Sequence, residues 1–351
     1  VTLAGAAIAG SATALIVSAV LSGLIAWSGP VDRPRERGLH KRPTPTAGGL
    51  GIIAGAGLGL LIFAVFAPAQ MADRSKIAAA LGLAGSLGLL GALDDLFDIG
   101  AKIKFLVQIS FAVLFAVFVA RIEAIPLTSA LGLPLGPVIG VVGTALWLVV
   151  VVNAVNFMDG ANGVAPGAAA IVLIVFAFAA FAGGAPALGG AALTASLAGL
   201  GFLPWNFPKA RLFQGDAGAL FSGFLLAELA VIGAGWSGRG AVYVLFVPLA
   251  LLPFLADVLL TLLMRARAKK RLFDAHSEHL YQRWLAGRGR SHAALAGRIF
   301  GIMTLFASAA LALRSLGPGL QIAGFMAAAV VSILAWTALS RRNPLMNAER
   351  A

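Results

Sequence analysis

Along this chain, apolar positions do not alternate or recur on one face; they run on. Uninterrupted stretches such as VVGTALWLVVV and AAAIVLIVFAFAAF are broken only by short polar segments. Runs of about 20 apolar residues are long enough to cross a bilayer as helices, and continuous runs exclude the alternating strands of a membrane barrel. The pattern predicts an all-α, polytopic integral membrane bundle. Its eleven spans lie at about 3–27, 48–68, 76–93, 105–121, 136–153, 164–183, 187–204, 217–236, 240–263, 297–313 and 318–339. Residues 1–351 form one transmembrane domain, with the polar motifs between about 32 and 284 and the last two spans beyond them.

Composition agrees. Hydrophobic residues make up 60% of 351 and charged residues 11%, against about 25% charged in soluble domains. Cysteine is absent, which excludes disulfides and thiolate chemistry. The first run, from Val1 to Trp27, lacks a basic head and reads as a retained helix rather than a cleaved signal. The net charge of +12 is distributed by topology. With the N-terminus periplasmic and the C-terminus cytoplasmic, 21 of the 26 Lys and Arg fall on one face; Arg74, Lys76, Arg121, Arg239 and Arg314 fall on the other. The positive-inside rule makes the first face cytoplasmic, and contact with anionic membrane lipid accounts for the basic excess without nucleic acid.

Five unusual segments then share the cytoplasmic face. DRPRERGLHKRPTPTAGG (32–49) is either an ordinary basic loop or an electropositive collar for phosphates, with Lys41 within it. In GALDDLFDIGAKIKF (91–105), Asp94 and Asp95 stand at a helix C-terminus, where the macrodipole favours cations. Acids placed against that preference point to a bound cation or to proton transfer, and Lys102 and Lys104 follow as phosphate ligands. NAVNFMDGANG (153–163) carries Asn153, Asn156, Asp159 and Asn162 at three-residue spacing, with Gly160 and Gly163 marking a turn. Such oxygens suit a hard cation, and amides suit sugar hydroxyls. FQGDAGALFSG (213–223) sets Asp216 between glycines, as a helix cap or a ligand. In RARAKKRLFDAHSEHLYQRW (265–284), His276 and His279 are spaced for one helix side, as a zinc pair without a third ligand or as a grip on diphosphate among arginines. The longest cytoplasmic segment, about 264–296, is expected to form short helices at the membrane surface. Asp257 and Glu228 lie deeper, where acids are functional candidates. An ion-coupled transporter is the competing reading, but the polar set lies at one face rather than at the midplane.

The order GALDDLFD, NAVNFMDGANG, GDAG and a His-containing basic loop resembles the polyprenyl-phosphate N-acetylhexosamine-1-phosphate transferases, glycosyltransferase family 4. The resemblance implies that a UDP-N-acetylhexosamine gives its sugar 1-phosphate to undecaprenyl phosphate, with Mg²⁺ as cofactor (Mn²⁺ as its substitute) and UMP as the second product. It implies a bacterial inner-membrane enzyme, compatible with a homodimer, whose site faces the cytoplasm. Asp94 and Asp95 match the family's catalytic pair. Asn156 and Asp216 match its metal positions. Lys41, Lys104, Asp159, Asn162, His276 and His279 are the expected substrate-binding set. DGANG departs from the family's DGxDG form, with Asn162 in place of a carboxylate, and HLYQRW departs from its multi-histidine form; the latter resembles the O-antigen-initiating branch rather than the phospho-muramoyl-pentapeptide transferases.

Overall fold

A computed structural model of the chain describes residues 2–32, 43–67, 73–128, 131–235, 244–272 and 276–343. In chain order its elements are α1 (Leu3–Ser28), β1 (Val31–Asp32), β2 (Thr44–Pro45), α2 (Gly49–Phe66), α3 (Arg74–Phe97), α4 (Ala101–Phe118), β3 (Ala124–Pro126), β4 (Gly132–Pro134), α5 (Gly136–Phe157), α6 (Val164–Ala182), α7 (Pro186–Asn206), α8 (Gly215–Ala234), α9 (Phe246–Ala250), α10 (Leu252–Arg267), α11 (Leu280–Leu285), α12 (His292–Leu313) and α13 (Pro318–Arg342). Strands β1–β2 and β3–β4 form two small antiparallel hairpins, the second registering Ile125 with Leu133.

Among the described residues, ten helices are long and apolar enough to span a membrane. Their backbone groups are paired within each helix, as a lipid environment demands. The expected span at 240–263 differs. Its described part is α9 and α10, broken at Leu251, with residues 240–243 outside the described set. Pro253, at the start of α10, has no amide to offer, and the first helical turn is where that absence costs least. At 1.5 Å per residue the 16 residues of α10 reach about 24 Å, short of a hydrocarbon core of about 30 Å.

Helix α8 is the centre: 89% of its most apolar window is buried, against 6% for α13, which lies at the rim. Close approach to α8 depends on glycine. A Cβ added to Gly91 of α3 would lie 2.6 Å from the carbonyl carbon of Asp216, so only glycine lets the end of α3 cross the first turn of α8.

Five connections meet at one end of the bundle. The amides of Gly48 and Gly49 donate to the carbonyls of Phe213 (2.9 Å) and Gln214 (2.8 Å), joining the α1–α2 and α7–α8 connections. Asn206 Oδ1 accepts from the Gly163 amide (2.5 Å), joining the latter to the α5–α6 turn. The Tyr281 hydroxyl donates to the Phe157 carbonyl (2.9 Å), adding the segment after α10. Lys104 brings in the α3–α4 turn through Asp216.

Candidate functional site

Asp98 ends α3 in the left-handed region (φ 51°), and Gly100 (φ 94°) completes the reversal into α4. That tight turn sets Lys104 over the end of α3. Its Nζ lies 2.5 Å from Asp94 Oδ2 and 2.6 Å from Asp216 Oδ2, joining α3, α4 and α8 through one ammonium. The other Asp94 oxygen accepts from the Gly100 amide (3.2 Å), and Asp216 Oδ1 accepts from Asn156 Nδ2 (3.0 Å).

Asp95 points to a different task. Its oxygens accept from the backbone amides of Asp216 (3.1 Å) and Ala217 (3.4 Å). The first amides of a helix have no partner within it, and Gln214, the N-cap of α8, supplies no side-chain bond. A carboxylate from α3 thus caps α8 from across the interface, at the end where the macrodipole favours an anion. Gly215 (φ 67°) lies beneath it, where a methyl group would strike the carboxylate.

Helix α5 continues through Phe157, so Asn153 and Asn156 are helical and the turn begins after them. Asn153 Nδ2 donates to Gln108 Oε1 (2.7 Å) and to the Val149 carbonyl (2.8 Å), tying α5 to α4 instead of entering the site. Asp159 is half-buried in the turn. Burial holds its carboxyl well above the usual range; the Gln214 amide opposes this, and the charges of Asp216 and Asp95 add to it. Asn162 is not brought to the acids: its Nδ2 contacts the Pro208 carbonyl (3.4 Å), and its amide donates to His292 Nδ1 (3.2 Å).

The expected surface helices after α10 fold inward instead. His279 is 2% exposed and Tyr281 3%. The His279 ring lies 4.9 Å from that of His276 and 5.7 Å from that of Phe157, centroid to centroid. The Tyr281 hydroxyl, besides bonding Phe157, accepts from the Gly160 amide (3.1 Å). Glu278 pairs with Arg265 (3.0 Å) and Lys270 (2.7 Å). Burial would raise its carboxyl, but those two cations outweigh it and hold the group below its ordinary value.

Desolvation, with the neighbouring His279 and Arg265, pushes His276 down to about 4. Desolvation also lowers His279, against the opposing Asp257 carboxylate and with Arg265 and Arg283. Both rings are neutral near pH 7. Burial thus favours neutral rings, which can still meet a diphosphate through hydrogen bonds and ring faces.

The structure therefore joins Asp94, Asp95, Lys104, Asn156 and Asp216 directly, with Asp159 beside them, and brings His276 and His279 to the same end through Phe157 and Tyr281. Lys41 lies outside the described residues. Glu228, fully buried in α8, sits twelve residues from Asp216, about 18 Å along the helix axis, and is no part of the cluster. Sequence reasoning missed Tyr281 and His292 as structural partners of NAVNFMDGANG, because neither is near it in the chain.

Among the described residues, no three His, Asp or Glu side chains form a metal cage. The donor chemistry nevertheless fits a hard cation. Asp94, Asp95 and Asp216 set three carboxyl groups beside the one ammonium of Lys104, and Asn156 adds an amide that can turn its oxygen inward. Mg²⁺ is commonly held by one or two carboxylates, with waters and substrate phosphates completing its shell.

The sequence pattern of glycosyl transferase family 4 matches residues 77–234. The chain is 31% identical over 342 residues to the decaprenyl-phosphate N-acetylglucosaminephosphotransferase of Mycolicibacterium smegmatis, covering 90% of this chain and 83% of that protein. It is 31% identical over 257 residues to the undecaprenyl-phosphate alpha-N-acetylglucosaminyl 1-phosphate transferase of Thermotoga maritima, covering 72% and 73%. It is also 28% identical over 263 residues to the phospho-N-acetylmuramoyl-pentapeptide-transferase of Staphylococcus haemolyticus, covering 70% and 79%.

Proposed function

The chain belongs to glycosyl transferase family 4, a family of multi-pass membrane transferases, and from that membership we propose that it moves an N-acetylhexosamine 1-phosphate from a UDP-sugar to undecaprenyl phosphate. The observation that carries this reading is Lys104 held between Asp94 and Asp216 at the end of the bundle where Asn156, Asp159 and the histidine segment gather.

The chemistry is a displacement between two anions. An oxygen of the lipid phosphate attacks the sugar-linked phosphorus of the donor, and the bond from that phosphorus to the bridging oxygen breaks. The products are a lipid diphosphate sugar and UMP. A phosphate monoester is largely ionised near pH 7, so the attack needs little base catalysis. The harder task is bringing like charges together. Lys104 meets the diphosphate with an ammonium whose position Asp94 sets. Asp95 fixes the first turn of α8 and so the place of Asp216. Asp216 and Asn156 would hold Mg²⁺, which when bound neutralises and orients the donor diphosphate. The buried end of the loop, with His279 against Phe157, receives the nucleotide.

The basic excess of the loops supports a cytoplasmic site in a bacterial inner membrane. The departure HLYQRW favours a donor used in O-antigen or other envelope polysaccharide synthesis. The Staphylococcus haemolyticus relative motivates a second donor, a muramoyl-pentapeptide sugar nucleotide.

The test is purified protein with undecaprenyl phosphate, Mg²⁺ and a panel of UDP-N-acetylhexosamines plus the muramoyl-pentapeptide donor, scored for UMP and lipid product. Release with at least one small donor, abolished by EDTA and restored by Mg²⁺ or Mn²⁺, is expected. EDTA-resistant turnover would remove the metal from the reading. Turnover of the pentapeptide donor alone would replace the first reading with the second.

A further inference from the structure

Asp257 is an acid for which the proposed reaction has no use. It is 6% exposed within α10, yet four hydrogen bonds converge on it. Oδ1 accepts from the Leu280 amide (2.7 Å), Trp336 Nε1 (3.1 Å) and Thr261 Oγ1 (3.3 Å); Oδ2 accepts from the Tyr281 amide (3.2 Å). Leu280 and Tyr281 are the first two residues of α11, whose unpaired amides need acceptors. The amide before them, on His279, donates to Gln282 Oε1 (3.2 Å). A six-residue helix cannot hold its own orientation, so the carboxylate beneath it sets where it starts.

That start point bears directly on the site. His279 immediately precedes the two anchored amides, and Tyr281, which carries the second, bonds the Phe157 carbonyl and the Gly160 amide. The anchor also reaches the rim of the bundle. Trp336 belongs to α13, and the end of α13 receives Arg283 of α11 through Ser340 Oγ (2.8 Å) and the Asn343 carbonyl (3.1 Å).

We propose that Asp257 is a positioning residue for the donor side of the site: it pins α11, and with it His279 and Tyr281, against the Phe157–Gly160 segment, with α13 as the brace. This rests on the reading of that loop as the nucleotide side.

The experiment compares Asp257→Ala and Trp336→Phe with the wild type by steady-state kinetics and by amide hydrogen exchange. For Asp257→Ala, the KM for the UDP-sugar is expected to rise at least tenfold while kcat changes less than threefold and the KM for undecaprenyl phosphate holds. Exchange in the 276–285 peptide should accelerate at least tenfold with α8 unchanged. Trp336→Phe keeps an aromatic ring beneath Arg283 and loses one of the four bonds to Asp257, so a two- to threefold rise in donor KM is expected, and this variant decides the matter if Asp257→Ala does not fold. An unchanged donor KM, or exchange accelerated across the whole bundle with both KM values and kcat moving together, would overturn the proposal. The exchange arm needs no substrate. A wild type that releases no UMP defeats the proposed function, while protection of 276–285 still decides whether Asp257 is the anchor.

Discussion

At the carboxylate centre, formal charges meet directly: one ammonium lies within 2.6 Å of two acids, with side chains 10–25% exposed. At the histidine loop burial favours neutral rings, and His279 is buried beside the Leu280 and Tyr281 amides that bond Asp257 and in ring contact with Phe157. The first region is partly exposed and rich in carboxyl groups, which on the proposed reading suits a cation and phosphates that arrive and leave. The second is largely buried and aromatic, which on the proposed reading suits a planar base. Charge handling and shape recognition are thus built by different means at one end of the bundle.

Three experiments strain that contrast. The largest effect is expected at Asp216, where Asp216→Asn removes a charge that faces Lys104 and Asn156. Transfer should fall by about 10³-fold or more, the scale of losing a preorganised electrostatic group, with thermal stability in detergent near that of the wild type. UMP release within tenfold of wild type would show that charge at this point is dispensable.

Next comes Lys104→Met, which leaves Asp94 and Asp216 facing each other without a counter-ion. Fully buried pairs cost several kcal/mol to break; partial exposure here lowers the expectation to about 1–3 kcal/mol. Adding Asp94→Asn should recover part of the loss, with a coupling of about 0.5–3 kcal/mol in a double-mutant cycle read by thermal unfolding. Strict additivity would mean that the triad is not a unit.

The smallest effect is expected from pH, and it should fall on the histidine side. His276 and His279 are both held below their ordinary value of 6.5, so the open loop binds protons that the closed loop refuses. Their contribution to loop closure is fully present above about 6.5 and is lost as pH falls toward about 4. Asp257 and Glu278 oppose the depression, while Arg265, Arg283 and Lys270 reinforce it. Donor KM should therefore rise by a few-fold between pH 7 and pH 5.5 in wild type, and less in a His276→Asn variant. An identical profile in both would detach the effect from this residue.

Much of this was legible in the chain. Span positions follow from hydropathy, because lipid rejects unpaired backbone and charge over any stretch of that length. The gathering of polar segments at one end follows from counting spans between them. The break at Leu251 was marked in the sequence only by Pro253, a residue that kinked single spans also carry. The inward fold of α11 was not legible, for the polar stretch HSEHLYQRW that carries it looks like solvated surface until Asp257 is seen below it. Asn162 and Asn153 share the three-residue spacing of Asn156 and Asp159, yet their side chains bond Pro208 and Gln108, a sorting that spacing alone does not show.

The sequence by itself determined that this chain crosses a membrane many times and keeps most of its acids and cations at the ends of spans, Glu228 and Asp257 apart, because those outcomes depend on the solvation of each residue where it stands. Only the tertiary structure decided which groups share a partner. Lys104 and Asp216 are 112 positions apart, Asp95 and the amide it caps 121, and Asp257 and Trp336 79. Contacts at such separations are set by how helices cross and where glycines let them close, and no local pattern encodes that.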